Sequence, residues 1–504
     1  MKRNIFKILM VGGVSLLAMT SCEKKLDLYP YDSIELSQSF KTIQDARAWN
    51  NSIFQHLRGR VYGLYMYSQD VQGDQLNATL DYGNRNGSPH RWDDSFRADD
   101  YTIRDVWQGY YSTMKNVNAI IQNMPNVETA NANEAAEINQ FIGNAHLMRA
   151  YLYHELALRY AKPYDPATAD NTLGLPLVLE YNPNLKPARS SLKATYDQII
   201  SDINEAKTRL ANVAGEQGAT RFTIDAAKAL EARVKLYIQD WPGAKTAADE
   251  VINTGKYPLI TDAADFQDYW HVDGYQESIM QMFISQPTET ANTNTIYLGW
   301  NNSLQKFVPD FVPSQWVVDA YENNDIRKAA YFKQVDIQIS GTVYPNSWVV
   351  NKYPGNPAYF TGATTNYMHE PKVFRIAEMY LISAEAAYNM GGANEDQARN
   401  RLNELRTARG LDPVASTGAA LLQDIKDERF RELAFEGVRL FDLKRWNEPV
   451  VRRDPQNEEY INVTPAASFH QLNIPAGHNK FTWGIPTNDI TTNPSLQGQQ
   501  NPGW

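Results

Sequence analysis

The sequence predicts a mainly α-helical fold, in which tetratricopeptide-like helix pairs carry a loop-rich insertion that contains short strands. Two helical segment pairs, 224–253 and 374–409, place alanine where their paired helices would cross. Between them, residues 254–370 alternate strand-like runs such as ESIMQMFIS (277–285) with loops rich in Asn, Pro and Gly. The spacing of the two pairs is not a clean 34-residue period, so the repeat is degenerate.

The first 21 residues have the pattern of a signal peptide. Basic residues precede the apolar run 8–19, which is too short to span a bilayer, and two small residues follow it. Cys22, the single cysteine of the chain, comes directly afterwards. This arrangement is typical of a bacterial lipoprotein, so we expect lipid on Cys22 and one domain over 22–504. The alternative is an ordinary secretory peptide with a chance cysteine.

Composition excludes several classes of function. The net charge is −10, and removal of the three basic residues of the signal peptide lowers it to −13, which argues against a nucleic-acid partner. The sequence contains no HExxH, GxSxG, P-loop or EF-hand pattern. We therefore expect no catalytic residues, no metal site and no cofactor, although loop oxygens leave a structural Ca²⁺ conceivable. The doublets Asp93-Asp94 and Asp99-Asp100 are interpreted as solvated loop carboxylates rather than a glycosidase pair.

Apolar periodicity places the helical scaffold in three stretches. We expect a first helix over about 41–57, further helices within 101–253, and the remainder within 371–446. Residues 59–100 look irregular and are too long for a simple connection, which indicates an ordered excursion or a functional segment.

The segment 428–446 is dense with charge. As a site, its carboxylates beside arginines could serve acid/base chemistry. As structure, it forms i, i+3 ion pairs on helices while apolar residues dock it on the scaffold, and we favour this interpretation. The expected ion pairs are Glu428/Arg431, Glu436/Arg439 and Asp442/Arg445, and the expected docking residues are Leu433, Phe435, Leu440 and Phe441.

Several blocks, in order, resemble the SusD/RagB family of outer-membrane nutrient-binding lipoproteins. They are LDLYP (26–30), NAHLMRAYLYHELALRYAKPY (144–164), KVFRIAEMYLISAEAAYNM (372–390), ERFRELAFEGVRLFDLKRW (428–446) and the ending IPTNDITTNPSLQGQQNPGW (485–504). The resemblance implies a SusD-like fold and a lid over a SusC-like TonB-dependent transporter. It also implies a ligand surface assembled from about 59–100 and 254–370.

Glycan binding needs flat aromatic faces beside hydrogen-bonding groups, because sugar rings present C–H faces and hydroxyls. Tryptophans in polar loops, among them Trp348, fit this need better than Trp49, Trp107, Trp241 and Trp446, which we place on helices. The ligand-binding candidates are Asp74, Asn77, Tyr82, Arg85, Trp92, Trp270, Tyr275, Tyr297, Trp300 and Asn301.

The sequence therefore predicts a non-enzymatic, lipid-anchored protein of the outer membrane that faces the cell exterior and passes glycans to a SusC-like transporter. A RagB-like peptide-binding protein is the main alternative, since the negative charge would suit cationic peptides. A glycoside hydrolase and a helical scaffold without a ligand remain open. The sequence does not name the glycan, and Glu23-Lys24-Lys25 does not decide the side of the membrane.

Overall fold

A computed structural model of the chain describes residues 39–285, 289, 296–360, 367–461 and 472–504. The signal peptide, Cys22 and the LDLYP segment lie outside the described residues. The helices are α1 (Ile43–Val61), α2 (Leu64–Gln72), α3 (Gly87–Arg91), α4 (Tyr101–Asn123), α5 (Ala132–Tyr160), α6 (Leu192–Arg209), α7 (Ile224–Tyr237), α8 (Trp241–Ile252), α9 (Ala263–His271), α10 (Gln315–Asp319), α11 (Ile326–Tyr331), α12 (Ile376–Met390), α13 (Asn394–Ala408), α14 (Gly418–Leu433), α15 (Arg439–Trp446) and α16 (Thr487–Thr492). The strands are β1 (Leu76–Ala78), β2 (Leu173–Pro176), β3 (Arg189–Ser191), β4 (Ser278–Gln281), β5 (Trp300–Asn301), β6 (Lys306–Phe307), β7 (Phe311–Pro313), β8 (Phe332–Ile339), β9 (Thr342–Val350), β10 (Lys372–Arg375), β11 (Val450–Val451) and β12 (Asn473–Ile474).

The mainly α-helical fold with a strand-containing insertion is confirmed. Helices α7 and α8 pack as one pair and α12 and α13 as another, and α12 also packs against α8. The alanines expected at the crossings are buried, because a small side chain lets two helix backbones approach closely. The buried alanines of these crossings are Ala226, Ala229, Ala232, Ala244, Ala247, Ala384, Ala387 and Ala398.

The longest helix, α5, forms the centre of the scaffold. The Asn131 side chain caps it by accepting the backbone N–H groups of Asn133 and Glu134. The helix packs against both α4 and α6. It ends at Tyr160, shortly before Pro163, which cannot continue a helix.

The C-terminal segment closes on α5. The backbone N–H of Trp483 donates to the Arg159 carbonyl at 2.7 Å, and its indole donates to Gln72 Oε1 at 2.8 Å. Asn501 donates to the Tyr160 carbonyl at 2.8 Å. The largest apolar core consequently includes residues from Phe40 to Leu496.

The excursion 59–100 is not irregular, contrary to the sequence-based interpretation. It contains α2, β1 and α3, and several of its polar side chains are buried and hydrogen-bonded. Short elements separated by left-handed residues such as Gly63, Gly83, Asn84 and Asn86 explain the error. Such residues are typical of loops, and the elements between them are too short to show a period.

The insertion is built around a four-stranded sheet with the order β5-β6-β8-β9. Strands β8 and β9 form a hairpin whose two-residue turn, Ser340-Gly341, has positive φ at both positions, as a type I′ turn requires. Outside this sheet, β1 pairs antiparallel with β7, and β4 pairs antiparallel with β10. The pairing of β1 with β7 joins the first excursion to the insertion.

The charged block 428–446 is divided by a turn between α14 and α15, where Phe435 and Gly437 have φ values of +63° and +74°. The expected pairs Glu428/Arg431 and Asp442/Arg445 are present. The expected Glu436/Arg439 pair is wrong, because Glu436 lies within the turn and so does not share a helix face with Arg439.

Both members of that missing pair bind elsewhere. Glu436 binds Lys352 and Arg375, and Arg439 binds Asp74. The expected docking residues Leu433, Phe435, Leu440 and Phe441 are all buried.

The block belongs to a buried ion-pair network. Glu432 accepts hydrogen bonds from Arg327, Arg375 and Arg409, and Glu428 accepts from Arg327, Arg406 and Arg431. Both carboxylates are fully buried. Because arginines bind every one of these carboxylates, the structural interpretation of the charged block is favoured over a catalytic one.

No helix among the described residues combines the length and apolar composition needed to cross a membrane.

Candidate functional site

The structure brings together the two regions expected to form the ligand surface. The three residues of β1 pair with those of β7, so Leu76 lies opposite Pro313 and Ala78 opposite Phe311. The Tyr297 hydroxyl donates to Asp70 Oδ2 at 3.1 Å, which adds a buried link between the two regions. Excursion and insertion are therefore parts of one continuous structure.

Six of the ten candidate residues are buried: Asp74, Asn77, Tyr82, Trp92, Trp270 and Tyr297. Their polar groups mostly serve internal contacts. Asp74 binds Arg439, and Asn77 Oδ1 accepts from Ser314 at 2.8 Å. Tyr82 packs edge-on against Phe311. These six side chains hold the excursion and the insertion in place rather than form their surface.

Trp92 and Trp270 do not lie in exposed loops, contrary to expectation. Trp92 follows α3 with a φ of +58°, and its indole N–H donates to the Gln72 carbonyl at 2.8 Å. Its ring packs edge-on against Phe481, with 5.0 Å between centroids. Trp270 lies in α9, and the Lys352 ammonium stands 4.2 Å from its ring centroid. Neither indole offers a face to a ligand.

The remaining tryptophans follow the sequence more closely. Trp49, Trp107, Trp241 and Trp446 all lie on helices, as expected. Trp348 is half-buried on β9, where it packs edge-on against Phe332. Tyr275 is 60% exposed in the turn before β4, and its Cβ lies against Gly218.

Trp300 lies on β5, one of the two edge strands of the sheet, and is half-buried. Its backbone N–H donates to the Tyr367 hydroxyl at 2.6 Å. Its indole N–H donates to Asn302 Oδ1 at 3.0 Å, and its ring meets Phe307 edge-on at 4.9 Å. These contacts fix the orientation of the indole and leave part of it open to solvent.

Three half-buried rings, Trp300, Phe307 and Tyr344, pack against one apolar cluster of the insertion. Together with Asn301 and Asn302 we call them the hairpin surface. The sequence missed Phe307 and Tyr344. The apolar–polar alternation over 335–339 in β8 was a signal for the hairpin that contains Tyr344. The cluster beneath consists of Leu298, Val312, Ile337, Ile339, Val349, Tyr367, Tyr460 and Ile461.

Polar side chains lie on the strands and loops that support the hairpin surface. Arg85 forms a bidentate salt bridge with Asp310 while 60% of its side chain stays exposed. Burial raises the pKa of the Asp310 carboxyl, and Arg85 opposes this rise. Asp81 accepts from the backbone N–H of Ser340 at 2.7 Å and so binds the turn of the β8–β9 hairpin. Asn301 Oδ1 accepts two backbone N–H groups in its own turn.

The arrangement suits binding of a polar molecule that also has apolar faces. Partly open aromatic rings can stack on such faces, and the Arg85 guanidinium offers further donors in a fixed plane. Among the described residues, no cluster of His, Cys, Asp and Glu is arranged to hold a metal ion.

Comparisons with known proteins show which sequences and folds the chain resembles. Residues 330–504 match the model of the SusD family, and residues 26–236 match a family described as starch-binding associating with outer membrane. The chain is 24% identical to SusD-like protein P38 of Formosa agariphila over 88% of its own length and 92% of the relative's.

Solved structures show the same fold. The crystal structure of a SusD superfamily protein from Bacteroides thetaiotaomicron has a TM-score of 0.78 and 25% identity, with coverage of 92% of this chain and 100% of that one. A laminarin-binding SusD-like protein has a TM-score of 0.68 and 21% identity, with coverage of 92% and 100%.

Proposed function

Because this chain is a SusD-like family protein, we propose that it captures glycans at the hairpin surface and delivers them to a SusC-like TonB-dependent transporter in the outer membrane. The family is one of starch- and glycan-binding proteins. The proposal extends this to a particular surface, a partner and a direction of transfer.

The observation that carries the proposal is the half-buried state of Trp300, Phe307 and Tyr344 over one apolar cluster. A ring fixed from below keeps its orientation without a ligand, so stacking costs little additional side-chain entropy. Trp300 is further restrained through its indole N–H and backbone N–H. A few such contacts give modest affinity and fast release, which suits a protein that must hand over its cargo.

The anchor completes the proposed mechanism. Cys22 lies outside the described residues, and we propose that it carries the lipid that holds the protein at the outer membrane, facing the exterior. The protein then acts as a tethered lid without catalysing a reaction on the glycan.

The test is a binding assay with the mature protein against a polysaccharide panel that includes laminarin and starch. For any glycan that binds, Trp300→Ala should weaken binding roughly tenfold, which corresponds to about 1.4 kcal/mol. Trp241→Ala is the matched control, because Trp241 is also half-buried but begins α8 on the helical scaffold. Equal affinities of the two variants would count against the hairpin surface.

The alternative, a RagB-like peptide-binding function, is favoured by the net charge, −10 for the full chain and −13 without the three basic residues of the signal peptide, which would attract cationic peptides. Calorimetry with cationic peptide mixtures beside oligosaccharides separates the two. Saturable heat with peptides alone would replace the glycan proposal. Release of reducing ends from a bound glycan would instead indicate a hydrolase.

A further inference from the structure

A cavity of about 80 Å³ lies where helices α1, α2, α4 and α5 meet the turn between α14 and α15. None of its lining residues belongs to the hairpin surface. One buried water needs on the order of 10–15 Å³ on the same measure, so the space admits several waters or a small polyatomic ion. Half-buried side chains such as Arg60, Glu155 and Glu436 line it, which gives it contact with solvent.

Two buried polar groups of the lining lack a partner. Within the part of the chain that the structure describes, neither the Tyr110 hydroxyl nor the Arg159 Nε–H makes a hydrogen bond. Tyr110 is fully buried, and 2% of the Arg159 side chain is exposed. An unpaired buried donor destabilises the folded protein because it has lost its hydrogen bonds to water, so such groups normally face a bound water or ligand.

The two groups share one section of the wall with a third donor, Arg60. The Arg159 guanidinium carbon stands 5.5 Å from the Tyr110 ring centroid. The Tyr110 ring meets the Tyr65 ring edge-on at 5.0 Å, and the Arg60 guanidinium carbon stands 5.8 Å from the Tyr65 ring centroid.

The carboxylates of the wall are already bound to other cations. Glu155 pairs with Arg159, and Glu378 pairs with Arg233. Glu436 pairs with Lys352 and Arg375, which do not line the cavity.

Arg60, by contrast, forms no salt bridge with any described residue. Its guanidinium donates only to neutral acceptors, the Gly109 carbonyl at 2.6 Å, the His56 carbonyl at 3.3 Å and Ser112 Oγ at 3.3 Å. The lining therefore holds two cations that form no salt bridge with any described residue, the half-buried Arg60 and the buried Lys372. Arg60 lies beside the two donors that have no acceptor.

We propose that this cavity binds a small oxyanion, of sulfate, phosphate or carboxylate type, through the Tyr110 hydroxyl and the Arg159 Nε–H, with Arg60 supplying the uncompensated charge. An oxyanion accepts both hydrogen bonds and neutralises the guanidinium, and charge-assisted hydrogen bonds of this kind are stronger than those to water. The bound ion would join helices from the N-terminal half of the chain to the turn of the charged block.

The test is calorimetry on the full mature protein in chloride buffer of constant ionic strength, with sulfate, phosphate and acetate as separate probes. Saturable heat with at least one probe is expected. Tyr110→Phe, which keeps the ring, should weaken that binding at least fivefold, and Arg60→Gln at least tenfold. Tyr388→Phe is the control, because Tyr388 lies on α12 outside the cavity and should bind as the wild type.

Crystals soaked in selenate give an independent readout, because selenium scatters anomalously and replaces sulfur in sulfate. An anomalous peak between Tyr110 and Arg159 supports the proposal. Absence of both heat and a peak, or Tyr110→Phe binding as tightly as the wild type, overturns it and indicates a cavity filled with water alone.

Discussion

Replacing Glu428 by Gln tests the buried ion-pair network directly. The Glu428 carboxylate is fully buried and accepts hydrogen bonds from Arg327 at 2.6 Å, Arg431 at 2.7 Å and Arg406 at 3.2 Å. Burial alone would raise the pKa of this carboxyl, but the three arginines outweigh burial and hold the pKa at about 2, against an ordinary value of 4.5. At about 1.4 kcal/mol per pKa unit, this difference corresponds to about 3 kcal/mol.

Mutations that remove one partner of a buried ion pair in other proteins lower the free energy of unfolding by about 3–5 kcal/mol, which agrees with the value from the pKa. The amide of Glu428→Gln keeps the shape but leaves the arginines short of a negative charge. We therefore expect the free energy of unfolding at pH 7, from chemical denaturation followed by circular dichroism, to fall by about 3 kcal/mol. Glu404→Gln is the control, because Glu404 forms an i, i+3 pair with Arg401 that is 48% exposed on the Glu404 side. An exposed pair contributes about 0–1 kcal/mol.

The pH dependence gives a second check. The folded-state pKa of Glu428 lies below its unfolded value, so its stabilising contribution is present above about 4.5 and is lost as the pH falls toward about 2. The difference between wild type and Glu428→Gln should shrink over that interval. A cost no larger than that of Glu404→Gln, or one that does not change with pH, would refute the reasoning.

Two further changes separate packing from binding. Burial raises the pKa of Asp70 to about 7 from 3.8; the contribution of its protonated form to stability is present below about pH 4 and is lost as the pH rises through about 7. The free energy of unfolding of the wild type should therefore fall by on the order of 4 kcal/mol between pH 4 and 8 relative to that of Asp70→Asn, which has no carboxyl to ionise. A difference between the two proteins that stays constant over this range would contradict this. Trp92→Phe loses an internal hydrogen bond and core volume, so the substitution should lower the free energy of unfolding by about 1–3 kcal/mol and leave glycan affinity unchanged. Weaker glycan binding by the folded variant would show that Trp92 belongs to the binding site.

The helical scaffold could be predicted because its signal is local. In α7, α8, α12 and α13 the alanines and larger apolar residues recur within one or two helical turns, so a window of the sequence contains the whole pattern. The bounds expected for the two pairs, 224–253 and 374–409, differ from the observed ones by at most two residues. The charged block illustrates the limit, because its i, i+3 spacings look alike whether or not a turn at Gly437 interrupts the helix.

The candidate site depends on contacts between residues that are far apart in the sequence, and no short stretch of the sequence contains both partners. Asp74 and Arg439 are 365 positions apart, and nothing near Asp74 marks it as a buried partner of an arginine. Trp92 lies among glycines, asparagines and aspartates that look like an exposed loop, yet its ring is buried against Phe481. Trp300 kept its place as a candidate because its strand is at the edge of the sheet, where a large ring is only half covered.

The closure of α5 by the C-terminal segment has a consequence for biosynthesis. Synthesis starts at the N-terminus, so helices α1 to α5 are made before Trp483 and Asn501. These two late residues complete the core of the helices. Until then the apolar surface of these helices stays exposed, and exposed surface of this kind promotes aggregation. A premature stop shortly before Trp483 should thus yield a chain that is degraded rather than a shortened protein that still functions.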